Sequence, residues 1–187
     1  VIELHGFANL SEAFGASNLF YQETKGQISC VCILDRDYYP DSVLLEKNKK
    51  ADENHLVLHI WDKKEIENYL LVPKALFRIT GQAGREYDIF LSKLDELLEP
   101  EKDNVMDQIA QHIYEEDKSK AMSTCNAQAR DVMRKRWTSI EDKLSMVSGK
   151  SMIRKINEWM NKEYRKSCST STIINNLHPE DIDKELF

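Results

Sequence analysis

The sequence predicts an α/β fold, with a small parallel sheet flanked by helices and then an all-helical C-terminal region. Two apolar runs, 28–34 and 55–61, stop abruptly at polar residues, which is typical of buried strands. The order of a short strand at 1–4, a helix from about 9 to 21 and the strand at 28–34 favours a parallel sheet with a right-handed crossover. From about Thr80 the apolar residues follow helical spacing. We therefore divide the chain into an α/β domain, 1–80, and a helical extension, 81–187, which we expect to pack on that domain or to mediate oligomerisation.

Length and composition narrow the functional classes. The 187 residues suffice for one medium domain or a small domain with an appendage. A hydrophobic content of 41% supports a core, and a mean hydropathy of −0.56 is typical of a soluble protein. No apolar run approaches the ~20 residues that cross a bilayer, and no signal peptide is recognisable. We expect a cytoplasmic protein without a membrane partner. The net charge of −6 argues against an indiscriminate nucleic-acid coat.

The cysteines do not form a metal motif. Cys30 and Cys32 have Cys-x-Cys spacing, and Cys125 and Cys168 are isolated, whereas zinc and redox sites use Cys-x-x-Cys. We interpret all of them as small buried hydrophobic residues in a reducing compartment.

The elements of the α/β part follow from local signals. In chain order they are a short strand at Val1–Leu4, a turn at His5-Gly6, a helix from Asn9 to about Tyr21 and the strand at 28–34. After a loop at 38–42, Val43–Lys50 is compatible with a helical turn or with a mobile loop. The second long strand is 55–61, and Pro73 begins a helix.

The C-terminal part is predicted to be helical throughout. Helical spacing or helix-forming composition covers 87–98, 104–145, 151–164 and 178–187. A break at 81–84, Pro100 and a polar linker at 167–172 separate these segments.

Two aspartates follow the first long strand. Residues i and i+2 of an extended chain point to the same side, and ligands of open α/β sheets bind beyond the carboxyl ends of strands. Asp35 and Asp37 have this spacing. Adjacent carboxylates repel unless a cation lies between them, and Mg²⁺ favours oxygen ligands. On spacing alone, a metal site and a solvated turn are equally good interpretations.

Glu65 and Glu67 repeat this spacing after the second strand. In an extended chain both face one side, but in a helix they diverge by about 200° and only one joins a site. They are also typical of a helix start, where acidic residues meet the positive dipole end. In each case a neighbouring parallel strand would bring an acidic residue beside Asp35 and Asp37.

A basic residue begins a later helix. Ser148-Gly149-Lys150-Ser151 is similar to the end of a P-loop, but Leu144 stands where the motif requires glycine, so that interpretation fails. We interpret the segment as a turn followed by a helix, with Lys150 well placed to contact a phosphate.

Together these segments resemble a known family. Leu34-Asp35-Arg36-Asp37-Tyr38, Lys64-Glu65-Ile66-Glu67-Asn68-Tyr69-Leu70-Leu71 and Gly149-Lys150 resemble the TOPRIM nuclease domain of the OLD (overcoming lysogenization defect) family. OLD and related antiphage-defence proteins join an ATP-binding cassette-type ATPase to a C-terminal TOPRIM domain, a small parallel sheet flanked by helices. The resemblance covers residues 1–80 and, more loosely, the helical region.

The resemblance implies metal-dependent DNA cleavage. It implies Asp35, Asp37, Glu65 and Glu67 as metal ligands, Glu65 and Lys150 as catalytic residues, and Mg²⁺ or Mn²⁺, as two ions, as the cofactor. Two ions about 3.5–4 Å apart activate a water and stabilise the leaving oxygen, while a lysine offsets charge in the transition state. The implied partners are DNA, an N-terminal ATPase domain in the same full-length chain, and further copies in a homodimer or higher oligomer.

One family feature is absent from this sequence. TOPRIM domains also use a glutamate in a Glu-Gly context after their first strand, whereas Glu3 precedes Leu4-His5-Gly6 and better matches the second strand. The chain begins at Val1 rather than methionine, so we expect the first strand, its glutamate and the ATPase domain to lie upstream. Without that glutamate the chain is expected to bind metal weakly and cleave poorly.

The competing interpretation is a non-catalytic module. It is either a degenerate TOPRIM-like domain serving assembly or regulation, or a receiver-like phosphoacceptor. Receivers carry a lone aspartate at the strand end and an acidic pair on an earlier strand, whereas here the pair occupies the strand end itself. A receiver domain also has no counterpart of the helical extension, 81–187.

Overall fold

A computed structural model of the protein describes residues 3, 4 and 6–186. The chain divides into two compact units, unit 1 (Val1–Asp62) and unit 2 (Lys63–Phe187), which are described separately below. Unit 1 contains a small parallel sheet flanked by helices, and unit 2 is helical, which confirms the α/β prediction at this coarse level. The division places 63–80, which the sequence pattern joined to the α/β domain, in the helical unit.

Unit 1 is built on a parallel strand pair. Its elements are α1 (Leu10–Glu23), β1 (Cys30–Leu34), α2 (Asp41–Glu53) and β2 (Leu56–Ile60). The strands pair with Cys30 opposite Leu56 and Leu34 opposite Ile60. Parallel pairing requires a crossover, which α2 provides. The parallel pairing of the two strands was expected, but the crossover was predicted between 1–4 and β1, and the described sheet contains no such pair. Of the two alternatives for 43–50, the helical one is correct and the mobile loop is wrong.

One face of the sheet is packed and the other is open. Val31, Ile33 and Val57 are 65%, 58% and 54% exposed, whereas alternate residues of the same strands face a core. That core contains Phe7, Leu10, Cys32, Leu34, Leu44, Ala51 and Leu56. The prediction of buried strands is therefore wrong for one face, because successive strand side chains point to opposite sides and the core lies on one of them.

Adjacent substitutions on β1 test this one-sided packing. Ile33→Thr should change the free energy of unfolding by no more than about 0.5 kcal/mol, because the side chain is exposed and threonine suits a strand. Leu34→Thr should cost about 2 kcal/mol or more, because it opens a cavity and buries a hydroxyl. Urea unfolding followed by circular dichroism measures both, and equal losses would contradict the assignment of faces.

The predicted strand at Val1–Leu4 is not part of the described sheet. Val1, Ile2 and His5 lie outside the described residues, and Glu3 and Leu4 have no strand geometry. Leu4 packs against the unit 1 core, and its carbonyl accepts a hydrogen bond of 2.9 Å from Asn9 Nδ2. The segment thus contributes to the core without extending the ladder.

Unit 2 consists of helices joined by short turns. A 3₁₀ turn at Ile66–Leu70 precedes its helices, which are α3 (Pro73–Thr80), α4 (Glu86–Leu98), α5 (Lys102–Glu116), α6 (Met122–Arg136), α7 (Ile140–Met146), α8 (Gly149–Tyr164) and α9 (Thr170–Ile174). The helix-forming stretch at 104–145 is divided among α5, α6 and α7. Ser139 and Asp142 form a capping box that begins α7. The last predicted helix is two 3₁₀ turns, Pro179–Asp181 and Lys184–Leu186.

The core of unit 2 is largely apolar, and Lys143 is a cation buried within it. Phe90, Leu94, Ile156 and Met160 are fully buried. Lys143 is 8% exposed, and its Nζ lies 2.6 Å from Asp95 Oδ1 and 2.7 Å from Glu99 Oε1, so it joins α7 to the end of α4. A buried charge is tolerated where it is paired in this way.

The buried cysteines behave as hydrophobic residues. Cys32, Cys125 and Cys168 are buried as predicted, whereas Cys30 is only half-buried, and the described cysteines are free thiols. Burial raises the pKa of Cys168 to about 11, which disfavours the reactive thiolate.

None of the helices in the described part of the chain has both the length and the apolar character required to cross a membrane.

Candidate functional site

Asp35 and Asp37 lie in the turn between β1 and α2. β1 ends at Leu34, so the predicted position at the carboxyl end of a parallel strand is correct. The prediction that both carboxylates point to one side assumed an extended chain, and that premise is wrong because Asp37 has a φ of 48°. Aspartate tolerates this left-handed conformation. Arg36, between them, pairs with Asp41 at the start of α2.

Glu65 lies just before the Ile66–Leu70 turn and reaches a distant segment of unit 2. Its backbone is extended, with φ −148° and ψ 162°, and Glu67 is already within the turn. Glu65 Oε1 accepts hydrogen bonds of 3.1 Å from Ser148 Oγ and from the Lys150 amide. Glu65 thus binds the N-terminus of α8, where a carboxylate is stabilised by the helix dipole and by N–H groups without helical partners.

This environment sets the charge of Glu65. The carboxyl is 7% exposed, and burial alone would raise its pKa. The amide of Lys150, the charge of Lys64 and the hydroxyl of Ser148 outweigh burial, so the pKa is lowered from its usual value. Glu65 is therefore ionised at neutral pH and holds α8 in place as a carboxylate.

The lowered pKa predicts how stability depends on pH. A carboxyl whose pKa is lower in the folded state contributes stability above its unfolded pKa of about 4.3, and loses it as pH falls through the folded value. We expect Glu65→Gln to be less stable than the unsubstituted chain at pH 7 by an amount that shrinks below about pH 4.3. Urea unfolding between pH 3 and pH 7 measures the difference, and a difference that widens in acid would contradict this role.

Lys150 is the exposed member of the arrangement, and Glu67 is its partly buried partner. Lys150 Nζ lies 3.5 Å from Glu67 Oε1, and the Lys150 side chain is 69% exposed. Glu67 Oε2 is buried and accepts no hydrogen bond from the described residues. Lys150 can thus contact an incoming anion while Glu67 keeps an acceptor oxygen available.

Asn68 and Gly149 were not among the predicted site residues, but both are needed for this arrangement. Asn68 is 1% exposed, and its Nδ2 donates to Leu144 O at 2.6 Å and to Val147 O at 2.9 Å, while Oδ1 accepts from Glu65 N at 3.0 Å. A Cβ on Gly149 would lie 2.9 Å from Asn68 N. The capping-box spacing of Glu65 and Asn68 is the sequence signal that could have found the first of these.

The predicted site residues are placed in two groups. Asp35 and Asp37 belong to unit 1, and the structure brings Glu65, Glu67 and Lys150 together within unit 2. Among the described residues, no group of at least three His, Cys, Asp or Glu side chains is arranged to hold a metal ion. Glu65 fits a metal poorly because Oε1 already accepts two hydrogen bonds, whereas the partnerless Oε2 of Glu67 fits one better.

Comparison of the chain with protein-family models, curated proteins and solved structures finds no match.

Proposed function

We propose that this chain is the TOPRIM-like nuclease module of an ATPase-linked OLD-type protein and hydrolyses DNA phosphodiester bonds with a divalent metal. The observation that carries the proposal is the contact between two segments far apart in the sequence. The family resemblance assigns both Glu65-Ile66-Glu67 and Gly149-Lys150 to one site, and Glu65 binds the Lys150 amide across 85 positions of the chain. Chance similarity of short motifs gives no reason for such a contact.

The side chains have distinct roles in this proposal. Asp35 and Asp37 are the carboxylates of unit 1 that the family resemblance assigns to the metal, and a bound Mg²⁺ or Mn²⁺ would activate water and neutralise phosphate charge. Lys150 contacts the scissile phosphate and offsets its charge in the transition state. Glu65 is a positioning residue, since its hydrogen bonds hold the start of α8 and so the backbone of Lys150.

Plasmid nicking by the full-length protein tests the proposal. With Mg²⁺ or Mn²⁺ we expect supercoiled DNA to be nicked, and EDTA to abolish the reaction. Asp35→Asn and Asp37→Asn should lower the rate by about 100-fold or more through loss of a metal ligand, and Lys150→Gln should lower it by about 100-fold through loss of charge stabilisation.

The controls make the same chemical changes elsewhere. Asp52→Asn on α2 and Lys162→Gln on α8 alter exposed side chains of the same units and should leave the rate unchanged. Nicking that survives in Asp35→Asn and Asp37→Asn refutes the assignment of ligands. Calorimetric titration of the present chain with Mn²⁺ is a second readout, and absence of heat at millimolar metal counts against a preformed site.

The runner-up is a non-catalytic module serving assembly. Two observations favour it, namely the occupied Oε1 of Glu65 and the open sheet face bearing Val31, Ile33 and Val57. Parallel sheets are usually covered on both faces, so such a face is suited to a partner. A full-length protein that fails to nick with either metal but self-associates in equilibrium sedimentation would support this alternative.

A further inference from the structure

The C-terminal segment 178–186, called the acidic strap, carries carboxylates at alternate positions. Asp181, Asp183 and Glu185 contact the guanidinium of Arg78, the ammonium of Lys63 and the hydroxyl of Tyr69, respectively. Asp181 Oδ2 lies 2.6 Å from an Arg78 guanidinium nitrogen, and Asp183 Oδ2 lies 3.3 Å from Lys63 Nζ.

The partners of the acidic strap form a strip of hydrogen-bond donors. Tyr69 donates its hydroxyl hydrogen to Glu185, and Lys63 Nζ lies 4.4 Å from the centre of the Tyr69 ring. Lys63 and Arg78 are 24% and 26% exposed at their side chains, so each cation is partly removed from water. Without the strap these partly desolvated charges would require another anion.

We propose that Lys63, Tyr69 and Arg78, named the donor strip, bind the phosphate backbone of a nucleic-acid strand, and that the acidic strap occupies this site in the free protein. Arginine, lysine and tyrosine side chains are the groups that contact phosphate oxygens in protein–DNA complexes. The strap carboxylates accept hydrogen bonds from these same donors and are negatively charged, as phosphate groups are. Binding of the strand therefore requires the strap to leave, which makes the strap an intramolecular competitor.

The choice of nucleic acid as the ligand rests on the proposed nuclease function. Tyr69 lies in the same Ile66–Leu70 turn as Glu67, which pairs with Lys150. A strand whose phosphate contacts Lys150 would thus meet the donor strip at an adjacent part of unit 2. Binding to the donor strip can be tested separately from cleavage, because it can be measured in EDTA, where metal-dependent cleavage does not occur.

The test measures binding of a fluorescent single-stranded oligonucleotide to the present chain in EDTA. Neutralising the strap with Asp181→Asn, Asp183→Asn and Glu185→Gln together should tighten binding by about tenfold or more at low salt. The log–log salt dependence should steepen by about 1.4, because each freed cation contributes about 0.7 on a single strand. Adding Lys63→Gln to the neutralised chain should reverse part of both effects.

The matched control removes the same charge from other exposed sites of unit 2. Glu86→Gln, Glu116→Gln and Glu158→Gln change the net charge equally but touch neither strap nor strip. Equal tightening in this control, or no reversal by Lys63→Gln, overturns the proposal. If the triple strap variant does not fold, Asp183→Asn alone serves, because that side chain is 39% exposed and its loss disturbs packing least.

Three further outcomes distinguish the choice of nucleic acid, the donor strip and the nuclease function from one another. A polyglutamate peptide that binds the neutralised chain as tightly as an oligonucleotide of equal charge would overturn the choice of nucleic acid. Tightened oligonucleotide binding by a full-length protein that does not nick would support the donor strip and refute the nuclease function. Nicking by a full-length protein whose oligonucleotide binding is not tightened by the strap substitutions would support the nuclease function and refute the donor strip.

Discussion

Asn68→Asp should destabilise unit 2 by about 3 kcal/mol or more. The change keeps the shape of the side chain but replaces the amide donor group with a carboxylate. The carbonyls of Leu144 and Val147 lose their donor, and an anion is placed against them at a position that is 1% exposed. Each buried polar group left without a partner costs about 1–3 kcal/mol, and a buried charge costs more.

Urea unfolding of unit 2 measures this loss. Trp137 and Trp159 lie in unit 2 and Trp61 in unit 1, so a Trp61→Phe background makes tryptophan fluorescence report on unit 2. Asn161→Asp on α8 makes the same chemical change at an exposed side chain and should cost less than about 0.5 kcal/mol. Similar losses in the two variants would show that Asn68 does not hold the 144–147 segment.

Gly149→Ala should destabilise unit 2 by about 1–3 kcal/mol, although alanine is the better helix former. A Cβ at this position would lie 2.9 Å from Asn68 N and from Glu67 Cβ, and 3.0 Å from Glu67 C. Most of these neighbours are backbone or directly attached to it, so the start of α8 must move away from the Ile66–Leu70 turn. The same movement should lengthen the contacts of Glu65 and Glu67 with Lys150.

Gly15→Ala is the matched control with the opposite sign. Gly15 lies within α1, where a Cβ would meet nothing within 4 Å, so alanine should stabilise unit 1 by about 0.5–1 kcal/mol. Thermal unfolding of both variants by circular dichroism compares them. A neutral or stabilising Gly149→Ala would contradict the close approach of the two segments.

Local sequence patterns predicted most of the helices and strands, but they did not predict that one face of the sheet is exposed. Apolar runs that stop abruptly at polar residues placed β1 and β2 within about two residues, and helical spacing placed α4 and α8. The same patterns did not reveal that Val31 and Ile33 are exposed, because an apolar run of strand length looks the same whether one or both faces are covered. The breaks that separate α5, α6 and α7 were also not predicted, although Asp117, Ser119 and Ser139 lie in them and favour turns and helix caps over helix interiors.

The candidate site was also predictable only in part from the sequence. The sequence by itself determined which residue types are available, namely Asp35 and Asp37 after a strand, Glu65 and Glu67 at a turn, and Lys150 at a helix start. Local chemistry determines these, because strand ends and helix starts are set by neighbouring residues. Only the tertiary structure decided that Glu65 binds the start of α8, that Asn68 is buried beneath it and that the acidic strap lies on Arg78, Lys63 and Tyr69. These contacts join positions far apart in the chain, and a single sequence carries no local signal for such pairs because packing in three dimensions selects them.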